Sequence, residues 1–259
     1  MLTKEAPEIL GLLSEPLRWQ LIGELGRSDR RVGELVELVG KPQNLVSYHL
    51  GELRRAGVVS ARRSSADGRD MYYRADLLRC RDLLGDAGLS LHPGLMSVPV
   101  EHDPVASRAT RRRPRLLFLC TGNSARSQMA EALMEERADG SVVARSAGSH
   151  PKPLQPNAVR VMAERGIDIS GRPTKSLGRF TRTRFDWVIT LCDKVKEICP
   201  EFPGAPVVTH WSIADPAVAG ETDEATYAAF QGVADEIDTR VALLLADLKS
   251  QPPEGRHHG

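Results

Sequence analysis

Apolar residues recur at helical spacing along the first third of the chain. Leu17, Leu21, Ile22 and Leu25 follow Ser14, Glu15 and Pro16, residues that start helices, which predicts a capped helix. Val32, Leu35, Val36 and Val39 mark a second short helix. Gly40, Lys41 and Pro42 then turn the chain into a third, from about Gln43 to Ala56, and the pair reads as a helix-turn-helix. After Gly57 the pattern alternates through Val58, Val59 and Ser60. It turns at Ala66, Asp67 and Gly68 and returns through Met71, Tyr72 and Tyr73, a hairpin pattern. A helix from Asp76 to about Gly88 carries Leu77, Leu78, Leu83 and Leu84 for packing or dimerisation. Periodicity then fades through residues 92–114, which hold Pro93, Pro99, Pro104, the run Arg111 to Arg113 and Pro114, as in a linker. From Leu116 apolar strands alternate with glycine-containing loops and helices: Leu116 to Leu119, Ala144 to Ala147, Trp187 to Leu191 and Val207 to Thr209. That alternation predicts a parallel sheet covered by helices.

The expected organisation is two domains, at 1–91 and 115–250, with a linker at 92–114 and a tail at 251–259. A length of 259 residues suits two domains better than one. Hydrophobic residues at 41% and charged residues at 27% are enough to bury a core in each. The net charge of +1 excludes a uniformly basic coat but leaves room for a basic face on one domain. No apolar run is long enough for a membrane span and no signal-peptide pattern opens the chain, so a cytoplasmic location is expected. In a reducing compartment the four cysteines, three of them in the C-terminal part, point to catalysis or metal binding rather than to a disulfide scaffold.

The sharpest chemical signal is Cys120-Thr121-Gly122-Asn123-Ser124-Ala125-Arg126-Ser127, directly after an apolar strand and directly before a helix. That placement puts the thiol over a helix N-terminus, where backbone N–H groups and the helix dipole hold an oxyanion and favour thiolate over thiol. Thr121 to Arg126 would line the cradle, Arg126 offering a planar fork of donors. The loop, followed later by Asp215-Pro216, resembles the low-molecular-weight tyrosine phosphatases. The resemblance implies that Cys120 is the nucleophile, with Arg126 and Ser127 in its loop and Asp215 as general acid to the leaving oxygen.

Cys192 and Cys199 separate two readings, because phosphoester hydrolysis needs one thiol whereas arsenate reduction needs an acceptor for the oxidation. From about Arg115 to about Asp247 the chain resembles the thioredoxin-coupled arsenate reductases. The matching segments are the Cys120 loop, Ser146-Ala147-Gly148, Gly166 to Ser170, Cys192 and Cys199 with Pro200, and Trp211 ahead of Asp215. The resemblance implies arsenate as substrate, a relay from Cys120 through Cys192 to Cys199, no tightly bound cofactor, and an external thiol reductant such as thioredoxin. A helix between the two cysteines would hold them ~10 Å apart, beyond the roughly 7 Å Cα limit for a disulfide, so it must unwind during turnover. Some relatives hold potassium beside the loop, for which Asn123 and Glu131 are the candidates, although the cation of Lys175 could stand in its place. The alternative remains a phosphatase. Those enzymes resemble one another in a Tyr after Asp-Pro, and Ala217 stands there instead.

The N-terminal pattern resembles the ArsR/SmtB winged-helix repressors over about Ser14 to Leu89, which makes the expected first domain a mainly helical winged helix-turn-helix. The resemblance implies a homodimer on double-stranded operator DNA. Gln43, Asn44, Ser47, Tyr48 and His49 would read bases, while Leu45, Val46, Leu50 and Leu53 face inward. Arg54 and Arg55, with Arg62, Arg63 and Arg69 in the wing, would contact phosphates. Arsenic-responsive members carry several cysteines, whereas this domain has only Cys80, a poor trap by itself for a metalloid that prefers three soft ligands.

Overall fold

The computed structural model describes residues 6–92 and 112–250. The chain divides into two compact units, Met1–Arg108 and Ala109–Gly259. Most of the expected linker and all of the expected tail fall outside the described residues.

The first unit contains α1 (Glu8–Leu13), α2 (Pro16–Arg27), β1 (Arg30–Arg31), α3 (Val32–Val39), α4 (Gln43–Arg55), β2 (Val59–Arg63), β3 (Met71–Ala75) and α5 (Leu77–Leu91). Pro16 opens α2 and the Glu15 carboxylate accepts the Arg18 N–H at 2.8 Å, a cap that satisfies one of the free amides of the first turn. Gly40, at φ 61°, ends α3 in the left-handed conformation that glycine adopts without strain. Helix α4 buries Val46, His49, Leu50 and Leu53, one stripe at i, i+3, i+4, i+7. Leu45 lies about 100° off that stripe and is exposed, contrary to the expectation that it faces inward. The hairpin forms with Arg63 opposite Met71, closed by a turn in which the Asp70 N–H bonds the Asp67 carbonyl at 3.1 Å. Strand β1, which the apolar pattern did not reveal, adds a third, antiparallel strand. Helix α1, also unforeseen, packs beside α5 and buries Ile9 and Leu13.

The second unit alternates β4 (Arg115–Cys120), α6 (Arg126–Ala138), β5 (Val143–Gly148), α7 (Pro156–Glu164), β6 (Trp187–Thr190), α8 (Asp193–Glu197), β7 (Val207–His210) and the long α9 (Asp223–Ser250). The four strands make one parallel sheet in the order β5-β4-β6-β7. Strand β4 is flanked on both sides, which explains its unbroken apolar run: Leu116 to Leu119 are fully buried. Helix α9 packs on α6 and α7. The C-terminal ends of β4 and β6 lie next to each other, with the Leu191 N–H bonded to the Leu119 carbonyl at 2.7 Å. Parallel pairing thereby brings Cys120 and Cys192 to the same edge of the sheet, where ligand crevices of open α/β folds form.

Candidate active site

The loop from Cys120 to Arg126 joins β4 to α6, and its conformation is over-determined. Asn123 adopts φ 47°, a left-handed geometry that costs most side chains energy but that Asn tolerates. Its amide is held on both sides. Nδ2 donates to Ser127 Oγ at 2.9 Å and to Ser146 Oγ at 2.8 Å, while Oδ1 accepts from the Lys175 N–H at 2.7 Å and from Gln128 Nε2 at 3.2 Å. Gly148 closes against the loop so tightly that a Cβ there would stand 2.7 Å from both Asn123 N and Thr121 O. Only glycine fits.

Two polar groups converge on the buried Cys120 sulfur. The Asn123 N–H donates to Sγ at 3.2 Å, and Ser127 Oγ lies 3.0 Å from Sγ.

Arg126, the first residue of α6, is buried. Nη1 donates to the Ile213 carbonyl at 3.0 Å and Nη2 to Asp215 Oδ2 at 2.9 Å. Asp215 therefore lies beside the loop, on a half-exposed segment, with its other oxygen capping the 3-10 turn Pro216–Val218 through the Ala217 N–H.

Cys192 directly precedes α8 and is buried, with Sγ 3.3 Å from the Thr121 hydroxyl. Cys199 lies beyond the helix, where burial pushes its thiol up to about 11. The four cysteines are free thiols. The five-residue helix α8 and its C-cap Ile198 separate Cys192 from Cys199.

At the potassium candidate the structure puts an ammonium. Lys175 Nζ bonds Glu131 Oε2 at 2.7 Å with both side chains nearly sealed from solvent, and Ser146 Oγ donates to the same carboxylate oxygen. The buried charge is already neutralised, which removes the reason for an ion between Asn123 and Glu131. No group of three or more His, Cys, Asp or Glu among the described residues is placed to hold a metal, and no described helix is long and apolar enough to cross a membrane.

In the first unit Gln43, Asn44, Ser47 and Tyr48 share an exposed face of α4, and Arg54 is exposed near its end. His49 does not join them. It is 8% exposed, with Nδ1 3.5 Å from the Glu15 carboxylate, because position 49 falls on the inward stripe. In the hairpin, Arg62 donates to the Arg63 carbonyl at 2.8 Å and Arg63 to the Gly68 carbonyl at 3.0 Å, both through side-chain Nη1. Arg69 pairs with Asp67 at 3.0 Å. Cys80 is buried in α5, and burial, reinforced by Asp76, pushes its thiol up.

Contacts that pattern reading did not foresee complete the site, and Gln128, Asp193, His210 and Ser212 are residues it did not single out. Thr121 contacts the second thiol, Gln128 and Lys175 fix Asn123, and a buried group of Asp193, His210 and Ser212 sits behind Cys192. Their spacing in sequence carries no periodic signal.

Residues 115–254 match the family model described as low molecular weight phosphotyrosine protein phosphatase, and residues 15–61 match that described as bacterial regulatory protein, arsR family. The chain is 40% identical over 126 residues, 49% of its length, to the arsenate reductase of Halalkalibacterium halodurans, covering 91% of that protein. With the arsenate reductase of Bacillus subtilis the identity is 41% over 126 residues, again 49% of this chain and 91% of that protein. The crystal structure of arsenate reductase from Archaeoglobus fulgidus is 31% identical and aligns with 51% of this chain and 98% of that one, at a TM-score of 0.43.

Proposed function

The chain belongs to the low molecular weight phosphotyrosine protein phosphatase family, and from that premise we propose that it reduces arsenate to arsenite by a three-cysteine relay. The observation that carries this reading is the Cys192 sulfur against Thr121 of the oxyanion loop. Hydrolysis has no use for a second buried thiol there. Arsenate reduction needs one.

In the relay the Cys120 sulfur attacks arsenic within the cradle of Thr121 to Arg126, oriented by Ser127 and Asn123, and Asp215 protonates the oxygen that leaves as water. Cys192 then attacks the sulfur of the Cys120 adduct. The arsenic–sulfur bond breaks with its electron pair going to arsenic, arsenite departs, and a Cys120–Cys192 disulfide remains. Cys199 attacks Cys192 and releases the Cys120 thiolate. The resulting Cys192–Cys199 disulfide is reopened by an external dithiol, for which thioredoxin fits. No tightly bound cofactor is needed, because the cysteines carry the two electrons.

The first unit is read as a winged-helix regulator that binds operator DNA as a homodimer in the cytoplasm, with residues 92–114 linking it to the enzyme domain at 115–250 and a tail at 251–259. The exposed face of Gln43, Asn44, Ser47 and Tyr48 supports base readout and Arg54, Arg62 and Arg63 support phosphate contact. Control by arsenic would join the two activities in one chain.

The test is arsenate-dependent NADPH consumption with thioredoxin and its reductase, comparing the wild type with Cys120→Ser, Cys192→Ser and Cys199→Ser. Turnover lost in all three supports the relay. Absence of arsenate turnover together with Cys120-dependent hydrolysis of an aryl phosphate establishes a phosphatase instead.

A further inference from the structure

Beside the second thiol stands a buried carboxylate to which the relay gives no task. Asp193 follows Cys192 directly, opens α8 and has no exposed surface. Its Oδ1 accepts from Ser212 Oγ at 2.6 Å and from His210 Nε2 at 3.2 Å. His210 is 3% exposed, and its Nδ1 lies 2.8 Å from the Thr190 hydroxyl at the end of β6. An exposed polar side chain at this helix start would avoid the cost of burying a carboxylate. The burial calls for another explanation.

The partners of Asp193 lie on one short run that also holds the oxyanion loop. His210 and Ser212 face Asp193, whereas the Ile213 carbonyl and Asp215 occupy the two ends of the Arg126 guanidinium. The Trp211 N–H ties the same run to the Thr190 carbonyl at 2.8 Å. Residues 210–215 thus connect the arginine of the cradle to the residue beside the second thiol.

We propose that Asp193 is a positioning residue that, through His210 and Ser212, fixes Cys192 relative to the oxyanion loop, so that opening of α8 moves the Cys199 end and leaves Cys192 in place. This rests on the reading of the cysteines as a relay. It concerns where Cys192 is held and leaves the chemistry of Cys120 untouched.

The experiment uses the full chain with Cys199→Ser, in which oxidation stops at the Cys120–Cys192 disulfide, and adds Asp193→Ala or Asp193→Asn. Asn keeps an oxygen that can accept both hydrogen bonds, so it separates geometry from charge. Two readouts follow disulfide formation by peptide mass spectrometry. One uses arsenate in a single turnover, and the other uses diamide, which takes two electrons and two protons from a thiol pair without arsenic. Asp193→Ala is expected to slow the Cys120–Cys192 disulfide by about tenfold or more under both oxidants, since it removes hydrogen bonds to a charged group. Alkylation of Cys120 stays at the parent rate, and Asp193→Asn recovers most of the loss. A parent rate in Asp193→Ala, or an Asn variant as slow as the Ala variant, overturns the proposal. Should Asp193→Ala fail to fold, Ser212→Ala removes the shorter bond alone. It is expected to slow the same step severalfold, and a parent rate there overturns the proposal equally. A parent protein that forms the disulfide with diamide and not with arsenate, with the variants still ranked as expected, supports the positioning role while removing the arsenate reading.

Discussion

The Thr121 hydroxyl stands 3.3 Å from the Cys192 sulfur across 71 residues of sequence. Thr121 belongs to the oxyanion loop after β4 and Cys192 ends the segment after β6, two strands that are neighbours in the sheet. The contact holds the second thiol at the wall of the cradle before any substrate arrives. Thr121→Val keeps the shape and removes the hydroxyl. Arsenite release in a single turnover is expected to slow roughly three- to tenfold, the worth of one hydrogen bond of about 1 kcal/mol. Release at the wild-type rate would detach Thr121 from the Cys192 step.

Asp215 is held by Arg126 at 2.9 Å, beside the loop that would hold the oxyanion. Asp215→Asn removes the proton donor and is expected to lower kcat by about 10²–10⁴. Inhibition by inorganic phosphate should persist, since Arg126 and the loop amides remain. Steady-state kinetics with phosphate as competitor separates the two effects, and an unchanged kcat removes Asp215 from the acid role.

Burial raises the Cys199 thiol to about 11 from an ordinary value of 9.0. In the folded, reduced protein at pH 8, alkylation of Cys199 by iodoacetamide is expected to be roughly a hundredfold slower than in the unfolded chain, following the thiolate fractions. The sign for stability is also set. A raised folded value means that stability from this group is present below pH 9 and is lost as pH rises toward the folded value. An alkylation rate equal in folded and unfolded protein shows that the thiol is not sheltered. During the relay, opening of α8 would expose Cys199 at the moment it must attack.

Lys175 and Glu131 form a nearly sealed pair at 2.7 Å. Lys175→Met strands the buried carboxylate and is expected to destabilise the domain by about 3–5 kcal/mol, read by denaturant unfolding. Exchanging sodium for potassium should leave the wild-type midpoint unmoved, because the ammonium already occupies Glu131. A potassium-specific rise in that midpoint would contradict this assignment.

On α4 the exposed Gln43 and Asn44 are expected to lose about 1–3 kcal/mol of specific DNA affinity each on substitution by Ala. Arg62→Ala should weaken binding evenly across sequences and lower the salt slope by about one. Arg69 has to give up its pair with Asp67 to reach a phosphate. Equilibrium titrations at several salt concentrations distinguish these patterns, and His49→Gln should act through folding of the domain rather than through base readout.

The strands, the helix-turn-helix and the Cys120 loop were legible in the sequence because each is a local pattern: an unbroken apolar run, a 3.6-residue stripe, a turn flanked by strand and helix. Short or featureless elements were not. Strand β1 is two residues of arginine, and no hydrophobic period can announce it. Positions 45 and 49 were misread because composition puts a leucine inside and a histidine outside, whereas the packed stripe of Val46, Leu50 and Leu53 takes in position 49 and leaves out position 45. The sequence by itself determined that Cys120 sits between a buried strand and a helix start, and that two more cysteines follow with an Asp-Pro. What only the tertiary structure decided is how these meet. Parallel pairing of β4 with β6 brings Thr121 against Cys192, the run after β7 folds back so that Asp215 reaches Arg126 and Ser212 reaches Asp193, and the ammonium of Lys175 takes the place beside Glu131. Those contacts join residues tens of positions apart, and their geometry exists only once the sheet has buried its core.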